Sequence, residues 1–471
     1  MSSADMSFLS IRELGQLLRA GQTSPTELTR LYLERLSSLG QSLNAVVTIT
    51  DERALHEAAL AESELRSGLD RGPLHGIPYG AKDLLATAGI PTTWGAAPFK
   101  NQVFAYDAAV VRKLRGAGAI LAAKLATVEI AGGMGYDNPN ASFTGPTANP
   151  WDPNKWTSGS SSGPAAAVAA GVVPFAIGSD TGGSITLPAA WTGIAGLRAT
   201  YGRVSRYGAM ALSWSLDRLG PMCRTADDCG LVLEAIAGYD PHDPTSVRRR
   251  YQYRRNRPRR TGFRFGLIKG SSDGVQAEVK ANFDASLDIL GEVGIIEEIE
   301  IPSFPYSDVI ETIIAAEACS AFDDFIAAGR IAELTAEKAH THRMAAMVLP
   351  AHDYIRAQRI RRHIAAVMDD LTGAFDALIG PTLGVVASGL HDDFEYMLPG
   401  AFPQPINFAG NLAGLPAITI PNGFGQGHLP TGIQFVGRTF AENGVLDAAH
   451  ALQMRTDWHT RRPPVDKHPL H

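Results

Sequence analysis

Two serine–glycine turns and one lysine supply the residue types that acyl chemistry uses. The first turn is Gly159-Ser160-Ser161-Ser162-Gly163 and the second is Ser179-Asp180-Thr181-Gly182-Gly183-Ser184. Between them Ala165 to Ala170 reads as a short helix. Val172 to Ile177 reads as a buried strand, with Pro174 weakening that assignment. Gly182 and Gly183 permit unusual backbone angles and leave their amide N–H groups bare on one side. With Ser184 opening the next helix, those N–H groups converge with its positive end beside a hydroxyl, as stabilisation of an acyl-transfer oxyanion requires. The same residues also fit a turn that only caps a helix.

Lys82 ends the apolar or small run Ile77 to Ala81, where a lysine is costly to bury. Such a lysine loses its proton or finds a partner, and neighbouring Asp83 or the solvent would be the simplest partner. His75, in Leu74-His75-Gly76, has no carboxylate pattern around it and reads as structural. Gly159 to Gly163 also matches G-x-S-x-G, with Ser161 at its centre, but that nucleophile elbow needs a strand directly before it. Asn149-Pro150-Trp151-Asp152-Pro153-Asn154 precedes it and cannot be a central strand. The turn lacks the G-K-[ST] of a phosphate loop. Pro164 suits the first position of a helix.

These residues need a large scaffold. The chain has 471 residues, 45% hydrophobic and 19% charged, enough for a sizeable core and unlike a disordered chain. Its net charge of −6 gives no general pull towards nucleic acid. Cys223, Cys229 and Cys319 form no paired framework, so we expect reduced thiols and a cytoplasmic setting. The N-terminus does not read as a signal peptide, and no apolar run approaches the roughly 18 residues of a membrane span. No H-E-x-x-H or cysteine/histidine cluster suggests a metal.

The expected elements alternate between helix and strand. Helices are expected at Ser10–Ala20, from the capping box Ser24-Pro25-Thr26-Glu27 to about Ser38, and at Glu52–Arg66, with a strand at Leu43–Ile49. Ala108–Ala117 and Val275–Glu292 read as helices, and Ile120–Leu125, Phe263–Ile268 and Ile295–Ile301 as strands. Helical segments should fill most of Tyr306 to Asp369. This rhythm predicts an α/β architecture. Between Arg248 and Arg260 stand eight arginines in thirteen residues, which read as a solvated loop or as a surface for an anionic polymer or membrane. Residues 306–370 and 385–405 are expected to shape the substrate pocket, with Met344, Met347, Phe394 and Met397 serving there or in the core.

In order along the chain, G-I-P-Y-G-A-K-D, N-P-W-D-P, G-S-S-S-G, G-S-D-T-G-G-S-I and G-L-R-A-T-Y-G-R-V-S resemble the amidase signature family. Ser160 and Ser184 stand 24 residues apart, with Lys82 78 before Ser160. Echoes follow at Phe375–Thr382, Asn411–Ala417 and Gly432–Arg438, so the resemblance runs from about residue 10 to about residue 465. It implies one domain over 1–471, with core motifs in 70–240 and a C-terminal part, 260–465, completing a large mixed, twisted sheet covered by helices on both faces. It implies Ser184 as nucleophile, Ser160 as bridging hydroxyl after a cis Gly159–Ser160 peptide, and Lys82 as base. Thr181, Gly182, Gly183 and Ser184 would offer backbone N–H groups to the oxyanion, and no cofactor or metal is implied.

Two positions depart from the family. Thr186 stands where members usually have arginine after S-I, and Ser158-Gly159-Ser160-Ser161-Ser162-Gly163-Pro164 replaces a glycine-richer run. The missing arginine should change how the nucleophile loop is braced. The first functional expectation is an amidohydrolase for a small-molecule amide, aryl amide or carbamate, free of nucleic acid and membrane and compatible with a homodimer. The alternative is the hydrolytic A subunit of a glutamine-dependent tRNA amidotransferase. A binding protein without turnover is the third.

Overall fold

The computed structural model describes residues 3–255, 262–337, 346–393 and 405–465. Its strands, in chain order, are β1 (Val46–Ile49), β2 (Pro78–Lys82), β3 (Ile120–Leu125), β4 (Ala148–Asn149), β5 (Asp152–Trp156), β6 (Phe175–Asp180) and β7 (Ala195–Arg198). There follow β8 (Arg218–Cys223), β9 (Phe263–Ile268), β10 (Gly294–Ile299), β11 (Ala377–Pro381), β12 (Ala417–Phe424) and β13 (Pro430–Val436). Among the described residues β4 and β5 pair only with each other. The other 11 form one sheet in the order β1-β3-β2-β6-β8-β7-β12-β13-β11-β9-β10. Pairing is parallel for β3–β2–β6 and for β11–β9–β10, and antiparallel elsewhere. The sheet is therefore mixed, and strands from both ends of the chain share it.

Every residue of β2, β3, β6, β7, β8, β11 and β13 is buried, so helices and loops cover both faces there. Helices Ala109–Gly116, Ala226–Ile236, Ala277–Gly291 and Glu442–Gln453 pack on the sheet and, in part, on one another. Ser162–Ala169 and Thr186–Thr192 pack together beside the site. No helix of the described residues is long and apolar enough to cross a membrane.

Most expected elements appear within a residue or two. Ile11–Arg19 carries the capping box of Ser10 and Glu13, and Pro25–Arg35 that of Ser24 and Glu27, continuing as a π-helical turn over Leu36–Gly40. The strand expected at Val172–Ile177 starts instead at Phe175, directly after Pro174, because proline cannot donate to the ladder. The helix after the first serine turn starts at Ser162, so Pro164 is its third residue, still within the turn whose N–H groups have no intrahelical partner. The next helix starts at Thr186, leaving Ser184 in the preceding turn. Met344, Phe394 and Met397 lie outside the described residues. Met347 is exposed.

Candidate active site

Strand register builds the site. In the parallel pair β2–β6, Gly80 lies opposite Ala176 and Ala81 opposite Ile177, so both strands deliver their carboxyl ends, Lys82 and Ser179-Asp180, to the same edge. Crevices at the carboxyl ends of parallel strands are where α/β sheets hold ligands. Helix Ser162–Ala169 carries the first serine turn onto this edge, and two glycines allow the approach. A Cβ on Gly163 would fall 2.3 Å from Ala126 N and 2.6 Å from Ala45 O. One on Gly178 would fall 3.0 Å from Ser161 Oγ and 2.9 Å from Met222 Sδ.

Lys82 is 0% exposed. Its Nζ lies within hydrogen-bond distance of the hydroxyls of Ser160 at 2.8 Å, Ser179 at 2.9 Å and Ser161 at 3.0 Å. Asp83 is not its partner. That carboxylate pairs with Lys124 at 2.9 Å and accepts from Thr93 N at 3.0 Å and from the Thr93 hydroxyl. Burial lowers the Lys82 pKa to about 7, with Asp180 and Asp217 opposing the shift. A buried amine held among hydroxyls and no carboxylates can thus be neutral near physiological pH. The expected cis peptide is present at Gly159–Ser160.

The second turn is fixed from beneath. Asp180 accepts from Gly183 N at 2.8 Å and Ile185 N at 2.9 Å, which folds Thr181 to Ser184 into a loop around the carboxylate. Gly183 N–H is therefore committed inward, and of the four expected oxyanion donors it is the one already in use. Gly183 has φ +130°, and a Cβ there would fall 2.8 Å from Leu187 Cδ1 and 2.9 Å from Asn407 Nδ2, so only glycine fits. Ser184 is half-buried, and its C=O accepts from Ser161 N at 3.3 Å, joining the two turns. Lys82 and Ser160 are thus in direct contact, while Ser184 reaches the pair through the backbone of Ser161.

Thr186 does not leave the loop unbraced. Arg198, fully buried, lies 3.9 Å from Asp180 and donates to Asn407 Oδ1 at 3.2 Å. Asn407 donates to Gly182 O at 2.9 Å, and the Thr186 hydroxyl donates to Gly183 O at 3.3 Å. Thr181 donates to Asp217 at 2.7 Å. Of these supports, Ser179 and Asp180 lie in the second serine–glycine turn and Arg198 in the G-L-R-A-T-Y-G-R-V-S stretch, although no role for them is legible in the sequence. Asp217 and Asn407 carry no local signal. His75 stays structural, buried, but Glu64 at 3.1 Å and Asp70 at 3.9 Å do surround it. Its pKa is lowered, chiefly by burial.

Residues 27–446 match the Amidase family. This chain belongs to the amidase family. It is an amidase-signature enzyme, a hydrolase of carbon–nitrogen bonds. Over 486 residues it is 38% identical to the A subunit of glutamyl-tRNA(Gln) amidotransferase from Thioalkalivibrio sulfidiphilus, covering 96% of this chain and 98% of that one. Among solved structures, a chain from a vestigial complex tied to the origins of an s-triazine catabolic enzyme superposes with TM-score 0.86 and 28% identity, covering 95% and 98% of the two chains. The native peptide amidase of Stenotrophomonas maltophilia gives TM-score 0.83 and 30% identity, covering 97% and 98%.

Proposed function

We propose that Ser184 attacks the carbonyl of an amide while Ser160 relays its proton to neutral Lys82. The hydrogen-bond inventory around Lys82 carries this reading. Ser161 gives its hydroxyl hydrogen to Ser179 O at 3.1 Å, so towards Lys82 it can only accept. A neutral amine has two hydrogens and one lone pair. With the hydrogens directed at Ser161 and Ser179, the lone pair faces Ser160, which can then pull a proton from Ser184. The N–H groups of Gly182 and Ser184, with that of Thr181, would hold the oxyanion. Ser160 then returns the proton to the leaving nitrogen, the C–N bond breaks, and water hydrolyses the Ser184 ester.

For the substrate, we propose the side-chain amide of glutamine, with this chain as the hydrolytic A subunit of an amidotransferase. The full-length 38% identity supports this over the stand-alone amidohydrolase that the sequence alone puts first. One observation favours a stand-alone amidase acting on small amides or carbamates. The fold is shared over 97% of this chain, at 30% identity, with a peptide amidase. The test assays the chain with glutamine, an aryl amide and a carbamate, alone and with the other subunits of an amidotransferase. Glutaminase activity that rises with those subunits supports the proposal. Efficient aryl amide or carbamate turnover by the lone chain, with no response to them, overturns it.

A further inference from the structure

The arginine run after Ser246 takes no part in the proposed chemistry, yet its described half, residues 248–255, is held firmly. Arg203, paired with Glu442 at 3.0 Å, donates to Arg249 O at 2.8 Å, and Asn443 donates to Gln252 O at 2.9 Å. Tyr251 donates to Asn443 at 3.0 Å and Tyr253 to Asp227 at 2.9 Å, so both rings are turned inward. A Cβ on Gly230 would fall 2.3 Å from the Tyr253 ring, which shows how closely the loop is seated.

Four of the five guanidinium groups on this ledge, those of Arg248, Arg249, Arg250 and Arg254, are exposed without an acidic partner among the described residues, while Arg255 reaches Asp227 at 3.6 Å. Arg248 lies over the ring of Tyr239, 3.8 Å from its centroid, Arg249 over Phe440 at 5.0 Å, and Arg254 donates to Gln252 at 3.3 Å. Among the described residues, none of Arg248, Arg249, Arg250 and Arg254 pairs with a carboxylate. The carboxylates beneath are taken, Glu442 by Arg203 and Asp227 by Arg12 and Arg255. Four unneutralised arginines on a fixed backbone therefore stand out from a chain of net charge −6.

We propose that this ledge binds the phosphate backbone of RNA. Planar guanidiniums match phosphate oxygens in pairs, and Arg248, laid against the Tyr239 ring at 3.8 Å, offers its outer plane for a base to stack on. A bilayer fits less well, because the two tyrosines among the loop's described residues point inward and those residues present no apolar side chain to insert. The overall acidity that argued against nucleic acid is a property of the whole surface, whereas the ledge is local.

Fluorescence anisotropy with a labelled single-stranded RNA of mixed sequence, over a salt series, tests this on the full chain. We expect binding at low salt. Replacing the four arginines by glutamine should shrink the slope of log K against log salt by roughly 3, at about 0.7 for each phosphate no longer neutralised. The fourfold lysine variant should keep the slope, and phosphatidylserine vesicles should not compete. Absence of RNA binding at low salt, an unchanged slope in the glutamine variant, or vesicles competing as well as RNA would each overturn the proposal.

Discussion

Asp83 gives its carboxylate to Lys124, 2.9 Å away and equally buried, and so leaves the adjacent Lys82 without a contacting acid. That division of partners between two buried lysines on neighbouring strands is what lets one stay an ion pair and the other lose its proton. Breaking the pair strands a buried charge, so Lys124→Met should lower unfolding stability by about 3–5 kcal/mol, read by urea denaturation. Unchanged stability would show that the pair contributes nothing.

The pH dependence follows from Lys82. Its neutral form is the working base, so kcat/KM should fall as pH drops through about 7 and level off above it. Asp217 favours the protonated amine, so Asp217→Asn should move this limb to lower pH. A pH–rate profile of both proteins checks the sign. A limb that stays put or moves upward contradicts the electrostatic assignment.

Asn407 holds the nucleophile loop by donating to Gly182 O at 2.9 Å and accepting from the Thr186 hydroxyl at 3.4 Å, so it should act by positioning. Asn407→Ala should lower kcat by roughly tenfold to a hundredfold through misplacement of Ser184, with KM and the pH limb little changed. Steady-state kinetics across pH distinguishes this from a general loss of folded protein, which would scale with the active fraction and leave kcat per active site intact.

Ser184→Ala should reduce turnover by roughly 10⁴-fold or more while the melting temperature holds, because a half-buried turn hydroxyl adds little to packing. Turnover near the parent level would exclude Ser184 as nucleophile.

Much of this is legible in the sequence because local rules govern it. Ser10 and Ser24 announce their helices by capping boxes, Ile120–Leu125 and Phe263–Ile268 read as strands from short, largely apolar runs broken only by Lys124 and Arg264, and the serine–glycine turns show by composition. Pro174 marks the error in the strand that follows it: the apolar run continues through a residue that cannot pair, so the ladder begins one residue later. What stays hidden is long-range. Asn407 lies 225 residues from the Gly182 carbonyl it holds, and Lys124 lies 41 residues from Asp83 on a different strand. Ser179 reads as one more turn serine until the parallel register of β2 and β6 sets it against Lys82.

The central claim is that Ser184, among four neighbouring serines, is the one made nucleophilic. A fluorophosphonate reacts covalently with an activated serine, and peptide mapping by mass spectrometry locates the adduct. The account predicts labelling at Ser184 alone, slowed in Lys82→Ala. An adduct on Ser161, the centre of the G-x-S-x-G run, or on Ser160 or Ser179, would contradict it.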